Sequence, residues 1–269
     1  MTKIDVDEIK SLQLDIMKQV HNFCKIHGIK YFLAYGTLIG AIRHRGYIPW
    51  DDDIDIMMLR PDYEKFVAMF NGSCKNLIVV APENDLNYYA PYANVIDTRT
   101  ILEEYNINHL GRDVGVKIDV FPLDAVSKSP IKQKLDKFCC RFLNAVLLNK
   151  KTTYKKEKTK GFARTLLYVL ESFFFWLIPY KFAQWSILKV SQSNEWENAV
   201  SVDNIATGIY ENPKSIDWFS ETIEWPFEDC AFNVPQGYDE YLKNRYGDYM
   251  KLPPEDEQVP HHGFVAYWK

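Results

Sequence analysis

The stretch Gly46–Met58, GYIPWDDDIDIMM, places aspartates at 51, 52, 53 and 55 and follows them at once with isoleucines and methionines. Four like charges this close repel one another, yet the apolar run behind them reads as chain entering a core. On a β-strand, alternate side chains share a face. A strand over DDDIDIMML (51–59) therefore sets Asp51, Asp53 and Asp55 on one face, and Asp52, Ile54 and Ile56 on the other. Same-face neighbours lie roughly 7 Å apart, a span bridged by one divalent ion or by two ions about 3.5–4 Å apart. An all-carboxylate set suits a hard cation, Mg²⁺ or Mn²⁺.

Three chemistries compete for such a cluster. A solvated acidic turn is the plainest. A calcium loop of the D-x-D-x-D type fails, because Ile56 stands where glycine is needed and Asp62 where glutamate is needed. The third is phosphoryl or nucleotidyl transfer, in which metals clamp phosphate oxygens. The context upstream favours the third. In FLAYGTLIGAIR, an apolar strand breaks at Gly36-Thr37 and continues as a short helix, which brings backbone N–H groups within reach of a phosphate. A Gly-Thr turn followed by a D-x-D strand resembles the nucleotidyltransferase fold, which usually takes a third carboxylate from a neighbouring strand. Asp119, between apolar residues in VKIDVF, meets that need.

The 269 residues, 47% hydrophobic and 25% charged, are enough to bury a sizeable core. A net charge of −4 argues against nucleic acid as the partner. The five scattered cysteines have no C-x-x-C spacing and read as reduced thiols of a cytosolic protein without a zinc framework. The segment MTKIDVDEIK has no apolar h-region, so no secretory signal is expected there.

Residues 5–27 read as a helix, with Ile9, Leu12, Ile16, Val20 and Phe23 on one face and Gly28 as its stop. Strands are expected over 31–35, 76–81, 92–97 and 115–124, with a helix from Pro61. The expected class is α/β or α+β: a mixed sheet flanked by helices, followed by a mainly helical C-terminal half. The expected division is a catalytic core over 1–127, a helical region over 128–237 that faces the acceptor or membrane, and a motif segment over 238–269 that returns to the active site. Within the helical region, 128–148 and 162–189 are the helices and KKTTYKKEKTK (150–160) is an exposed linker. YGDYMKLPPEDEQVPHHGF (246–264) reads as irregular.

The run YGTLIGAIRHRGYIPWDDDIDI, then IDVFPLD, then YGDYMKLPP with His261-His262, resembles the LicD family, which includes fukutin and its relatives. The resemblance implies a nucleotidyltransferase-type fold. It also implies transfer of a phosphorylated alcohol from a CDP-activated donor to a glycan hydroxyl, with release of CMP. For bacterial members that means CDP-choline and a teichoic acid, lipooligosaccharide or lipopolysaccharide precursor. CDP-ribitol or CDP-glycerol is the alternative donor, and a non-catalytic nucleotide-binding relative is the alternative of another class. Carried over residue by residue, it implies that Asp53, Asp55 and Asp119 hold Mg²⁺ or Mn²⁺, with Asp51 a further ligand or general base. Gly36 and Thr37 would cradle the pyrophosphate, and Arg43, His44, Lys117 and His262 would contact the donor. The chain departs from the pattern at EDEQVPHH, which lacks a basic residue before the histidines.

Choline is recognised by aromatic faces. Tyr35, Tyr47, Trp50, Tyr88, Tyr89 and Trp268 lie in or near the motif blocks, and Trp50, beside the aspartates, is the expected contact. LLYVLESFFFWLIPY (166–180) is too short to span a bilayer and carries Glu171 and Pro179. It reads as a buried helix or, with lysines at 150, 151, 155, 156, 158 and 160 upstream, as an interfacial helix on an anionic membrane. The expected setting is the cytoplasm, peripheral to the membrane.

Overall fold

Asp5 accepts the Glu8 N–H through its side chain at 2.8 Å and starts helix α1 (Val6–His27). Gly28, with φ 61°, ends it in the left-handed conformation that a residue with a Cβ resists. The expected face of α1 is buried, and Gln13, Met17 and Cys24 join it. The molecule is a computed structural model describing residues 1–105, 109, 113–151, 175, 177–208, 212–259 and 263–269.

The α1 face packs on a seven-stranded mixed sheet. Its main path runs β2 (Phe32–Leu33), β3 (Asp55–Leu59), β7 (Lys117–Ala125), β5 (Ala93–Asp97) and β4 (Leu77–Val80). β3 and β7 are parallel and central, while β2, β5 and β4 run antiparallel to their neighbours. Helix α2 (Tyr35–His44) joins β2 to the acidic stretch, and α3 (Arg60–Met69) follows β3. The mixed α/β class read from the sequence holds.

Two expected strands are much shorter in the structure. Strand β2 stops at Leu33, because Tyr35 already begins α2. Strand β3 begins at Asp55 rather than Asp51, since residues 51–54 have no ladder partner. The alternation survives in burial: Asp52, Ile54 and Ile56 are buried, whereas Asp51, Asp53 and Asp55 are partly exposed.

Helices α4 (Pro130–Lys151) and α5 (Tyr180–Ser191) pack together through Leu143, Val146, Leu147, Ala183 and Ile187. The helical pattern ends there. Residues 201–235, expected to be helical, form β8 (Ser201–Asp203), β9 (Lys214–Ser215) and the hairpin β10 (Thr222–Phe227) and β11 (Cys230–Pro235). β8 extends the main sheet by pairing with β7. The hairpin turns at Glu228 (φ 54°), whose carboxylate accepts the Tyr47 N–H at 3.0 Å and so clamps the start of the acidic loop. The Trp225 indole donates to Ala41 O at 3.0 Å and fixes the hairpin on α2.

Helix α6 (Tyr238–Tyr246) precedes the irregular tail, and the chain closes with β12 (Phe264–Trp268). β12 lies between β1 (Thr2–Ile4) and β6 (Thr100–Glu104) in a second, three-stranded sheet. Of the linker expected over 150–160, Lys150 and Lys151 instead end α4; the rest of it, most of 166–180, and His261 and His262 lie outside the described residues. No helix among the described residues is long and apolar enough to cross a membrane.

Candidate active site

Asp55 begins β3 and Asp119 is the third residue of β7, and the two are Cα partners in the parallel ladder. Asn94 on β5 is the antiparallel partner of Asp119. Three polar side chains thus stand in one row across the centre of the sheet. Backbone bonds hold the row. Asp119 N–H donates to Ile54 O at 3.0 Å, Ala34 N–H donates to Asp55 O at 2.9 Å, and Asp55 N–H donates to Thr37 Oγ1 at 2.9 Å.

Thr37 therefore fixes the start of β3 with its buried hydroxyl. Gly36 has a different task. A Cβ there would stand 2.6 Å from Asp51 Oδ2, so only glycine lets that carboxylate lie against the first turn of α2. Tyr35, just before it, is a non-glycine residue at φ 45°, a strained conformation of the kind found at functional sites. Its hydroxyl accepts from Asn204 Nδ2 at 3.0 Å, and the Arg245 guanidinium lies 4.5 Å over its ring.

Burial pushes the Asp55 carboxyl well above the usual carboxylate range, and the negative charges of Asp53, Asp119 and Asp51 push it further. One Asp119 oxygen accepts from Asn94 Nδ2 and lies 3.3 Å from Lys117 Nζ. Tyr88 donates to Asn94 Oδ1, and Tyr89 does so at 3.4 Å, which orients the amide toward Asp119. Burial lowers the pKa of Lys117, but Asp119 and Glu104, the latter at 3.5 Å, outweigh it and hold the ammonium well above its ordinary value. Burial opposes ionisation of Glu104, yet hydrogen bonds and charge from His109 and Lys117 bring it down to about 2. Lys117 is thus a counter-ion to Asp119 and Glu104, hydrogen-bonded also to the Tyr89 hydroxyl at 2.8 Å.

Among the described residues no three histidine, cysteine or carboxylate side chains already stand close enough to cage a metal ion. The donor set nevertheless fits a hard cation. Its potential ligands are all carboxylates, and Asp55 stands among like charges that a divalent ion would neutralise.

Trp50 and Asp51 line a cavity of about 590 Å³ with Gly36, Tyr246, Asp248 and Tyr249. The tail forms its far wall because Arg43, from α2, donates to Tyr249 O at 2.8 Å and Lys251 O at 3.2 Å. Arg43 also donates to His44 Nε2 at 2.9 Å. Arg43 thus holds the wall of the cavity, and His44 accepts from Arg43. Of the other expected aromatic contacts, Tyr88 and Tyr89 are buried, Tyr47 packs on Phe227, and Trp268 lies beneath Arg99 in the small sheet. Asn94, Glu104 and Arg245 were missed in the sequence. A lone amide inside the apolar strand YANVID was the signal for the first.

Over 274 aligned residues, 99% of each chain, the protein is 33% identical to the lipopolysaccharide cholinephosphotransferase LicD of Haemophilus influenzae. The chain belongs to the LicD family. The model of the LicD/FKTN/FKRP nucleotidyltransferase domain matches residues 28–134, which span α2, β3 and β7 and hold all four aspartates, Asn94 and Lys117. Shorter similarity extends to uncharacterised proteins of Rickettsia typhi (45% over 58 residues, 21% of this chain and 19% of that one) and Rickettsia prowazekii (46% over 54 residues, 20% of each). The LicD domain match ends within α4, so Arg245 and the Tyr246–Pro254 wall lie outside it.

Proposed function

We propose that the protein transfers phosphocholine from CDP-choline to a hydroxyl of a lipopolysaccharide or related surface-glycan precursor, releasing CMP. The observation that carries this reading is the in-register pair Asp55–Asp119 beside the Trp50 cavity, in a chain similar from end to end to a lipopolysaccharide cholinephosphotransferase. The acceptor hydroxyl oxygen attacks the phosphorus that bears choline. The bond from that phosphorus to the CMP oxygen breaks, and CMP leaves with the electron pair. Asp51, seated against Gly36, takes the hydroxyl proton. A divalent cation held by Asp53, Asp55 and Asp119 would supply neutralising charge to the phosphoryl oxygens. Asn94 and Lys117 hold Asp119 in place for that role.

Trp50, Tyr246 and Tyr249 offer aromatic faces that suit a trimethylammonium group, and Asp51 and Asp248 stand beside them together with Arg43 and Lys251. The reading extends to a cytoplasmic protein peripheral to the membrane, which the five free cysteines and the lysines of 150–160 support.

The test is CMP release with Mg²⁺, lipopolysaccharide or teichoic acid, and CDP-choline, CDP-ribitol or CDP-glycerol in parallel. CDP-choline is expected to be turned over with lipopolysaccharide. Absence of CMP with every donor overturns the reading.

A further inference from the structure

Helices α4 and α5 pack on each other and are tied to the rest of the molecule along one side. From α4, Asn144 Nδ2 donates to Ala206 O at 2.8 Å and Arg141 Nε to Gly208 O at 3.1 Å. From α5, Gln184 Nε2 donates to Ala90 O at 2.7 Å and the Tyr180 hydroxyl to Tyr88 O at 2.8 Å.

The side turned away is apolar. On α4, Ile131, Leu135 and Phe138 recur four and three residues apart and are 81%, 58% and 68% exposed. On α5, Phe182 and Trp185 lie three apart, 55% and 46% exposed, with their rings 6.1 Å from each other. At 3.6 residues per turn, each row is centred more than about a third of a turn from Asn144 or Gln184, the side chain that ties its helix down.

The charge on these helices is one-sided. Six lysines and arginines stand on α4 and two on α5, against a single carboxylate, in a chain whose net charge is −4. That carboxylate, Asp136, is buried and paired with Lys132 at 3.1 Å. Lys134 and Arg141 border the α4 row, and Lys189 Nζ lies 6.0 Å from the centre of the Trp185 ring. Exposed carboxylates return at Glu195 and Glu197, beyond the end of α5.

Exposed apolar rows bordered by cations match the interface of an anionic bilayer, where rings settle at the acyl boundary and lysines reach the phosphates. A nucleic acid would use the charges and leave the apolar rows in water. We propose that the outer face of α4 and α5 docks the protein on an anionic lipid surface. The proposal rests on the peripheral-membrane reading above, gives it a face and a lipid charge, and draws on none of the donor chemistry. Asn144 and Lys151, on the other side of α4, line a cavity with Tyr35 and Phe121, and docking by the outer face leaves that cavity uncovered.

Flotation of the full chain with vesicles tests it, without donor or acceptor. Wild type is expected to float with equal parts phosphatidylcholine and phosphatidylglycerol, less so as salt rises, and to stay behind with phosphatidylcholine alone. Lys134→Gln, Lys181→Gln and Lys189→Gln combined are expected to weaken binding on the order of 10²-fold, at about fivefold for each lysine. Phe138→Ser with Phe182→Ser is expected to weaken it by about tenfold or more, with Tm near wild type because both side chains are exposed. Wild type that floats with neither vesicle, or variants that float as well as wild type, overturn the proposal. A Tm of the serine variant far below wild type also overturns it, by placing those rings beneath another segment of this chain. So does a wild-type dimer that the serine variant turns into a monomer in sedimentation, which gives the face to a second copy. Release of CMP from CDP-choline is read separately, and neither result decides the other.

Discussion

Asp55 and Asp119 are Cα partners in the parallel ladder between β3 and β7, and each has its backbone fixed by the neighbouring segment. The pairing brings two carboxylates from residues 64 apart in sequence to one point of a buried sheet. Asp53 and Asp51 add their charge from the loop that precedes β3. The repulsion that results is a property of the protein without a bound cation.

That repulsion has a sign in pH. The folded-state pKa of Asp55 lies above its unfolded value, so the contribution of this group to the metal-free fold is fully present below the unfolded pKa and is lost as pH rises through the folded pKa. Added Mg²⁺ should restore it. Thermal melts at pH 5 and pH 8 are expected to show a Mg²⁺-induced rise in Tm that is larger at pH 8 and absent in Asp55→Asn. An equal rise in the variant would count against Asp55 as a ligand.

Thr37→Val removes the acceptor of the Asp55 N–H and leaves a buried donor without its partner. The expected loss is about 1–3 kcal/mol of stability, with Thr37→Ser close to wild type. Chemical denaturation measures both, and equal stability of valine and serine variants would contradict the assigned bond.

Gly36→Ala puts a methyl group where Asp51 Oδ2 now lies. The end of a side chain can swing away, so the fold should survive, with Tm unchanged or raised by the better helix former. Activity should fall, on the order of 10²-fold for a displacement of about 1 Å. Full activity in this variant would remove Asp51 from the mechanism.

Glu104 has its pKa lowered from 4.5 to about 2, so it stabilises the fold above its unfolded pKa and loses that effect as pH falls through the window from 4.5 to about 2. The difference corresponds to about 3 kcal/mol. Glu104→Gln should flatten the fall in stability between pH 5 and pH 2, measured by urea unfolding at each pH. Parallel curves for the two proteins would contradict the ion pair with Lys117.

Much of this site was legible in the sequence because it follows local periodicities. The 3.6-residue pattern in 5–27 and the twofold alternation in DDDIDIMM and VKIDVF located α1, β3 and β7, and with them Asp55 and Asp119. The alternation told less about where β3 begins, because residues 51–54 keep their in–out burial without a partner strand. What lay hidden depends on distant pairing. β12 is a strand because β1 and β6 flank it, some 160 residues or more away in sequence, and nothing in FVAYW names those partners. Strand β10 is exposed over most of its length, so its composition gave no alternation to read. Arg245 looked like an ordinary charge at a helix end until the fold set it over Tyr35.

The most direct test of the central claim follows the phosphorus itself. ³¹P NMR of CDP-choline with Mg²⁺ and a lipopolysaccharide acceptor lacking phosphocholine should show the pyrophosphate signals of the donor decaying in step. A CMP monoester and a glycan-linked phosphodiester should grow in equal amounts. Asp119→Asn should leave the donor intact. A wild-type protein that leaves CDP-choline unchanged, or an Asp119→Asn variant that converts it at the wild-type rate, would contradict the account.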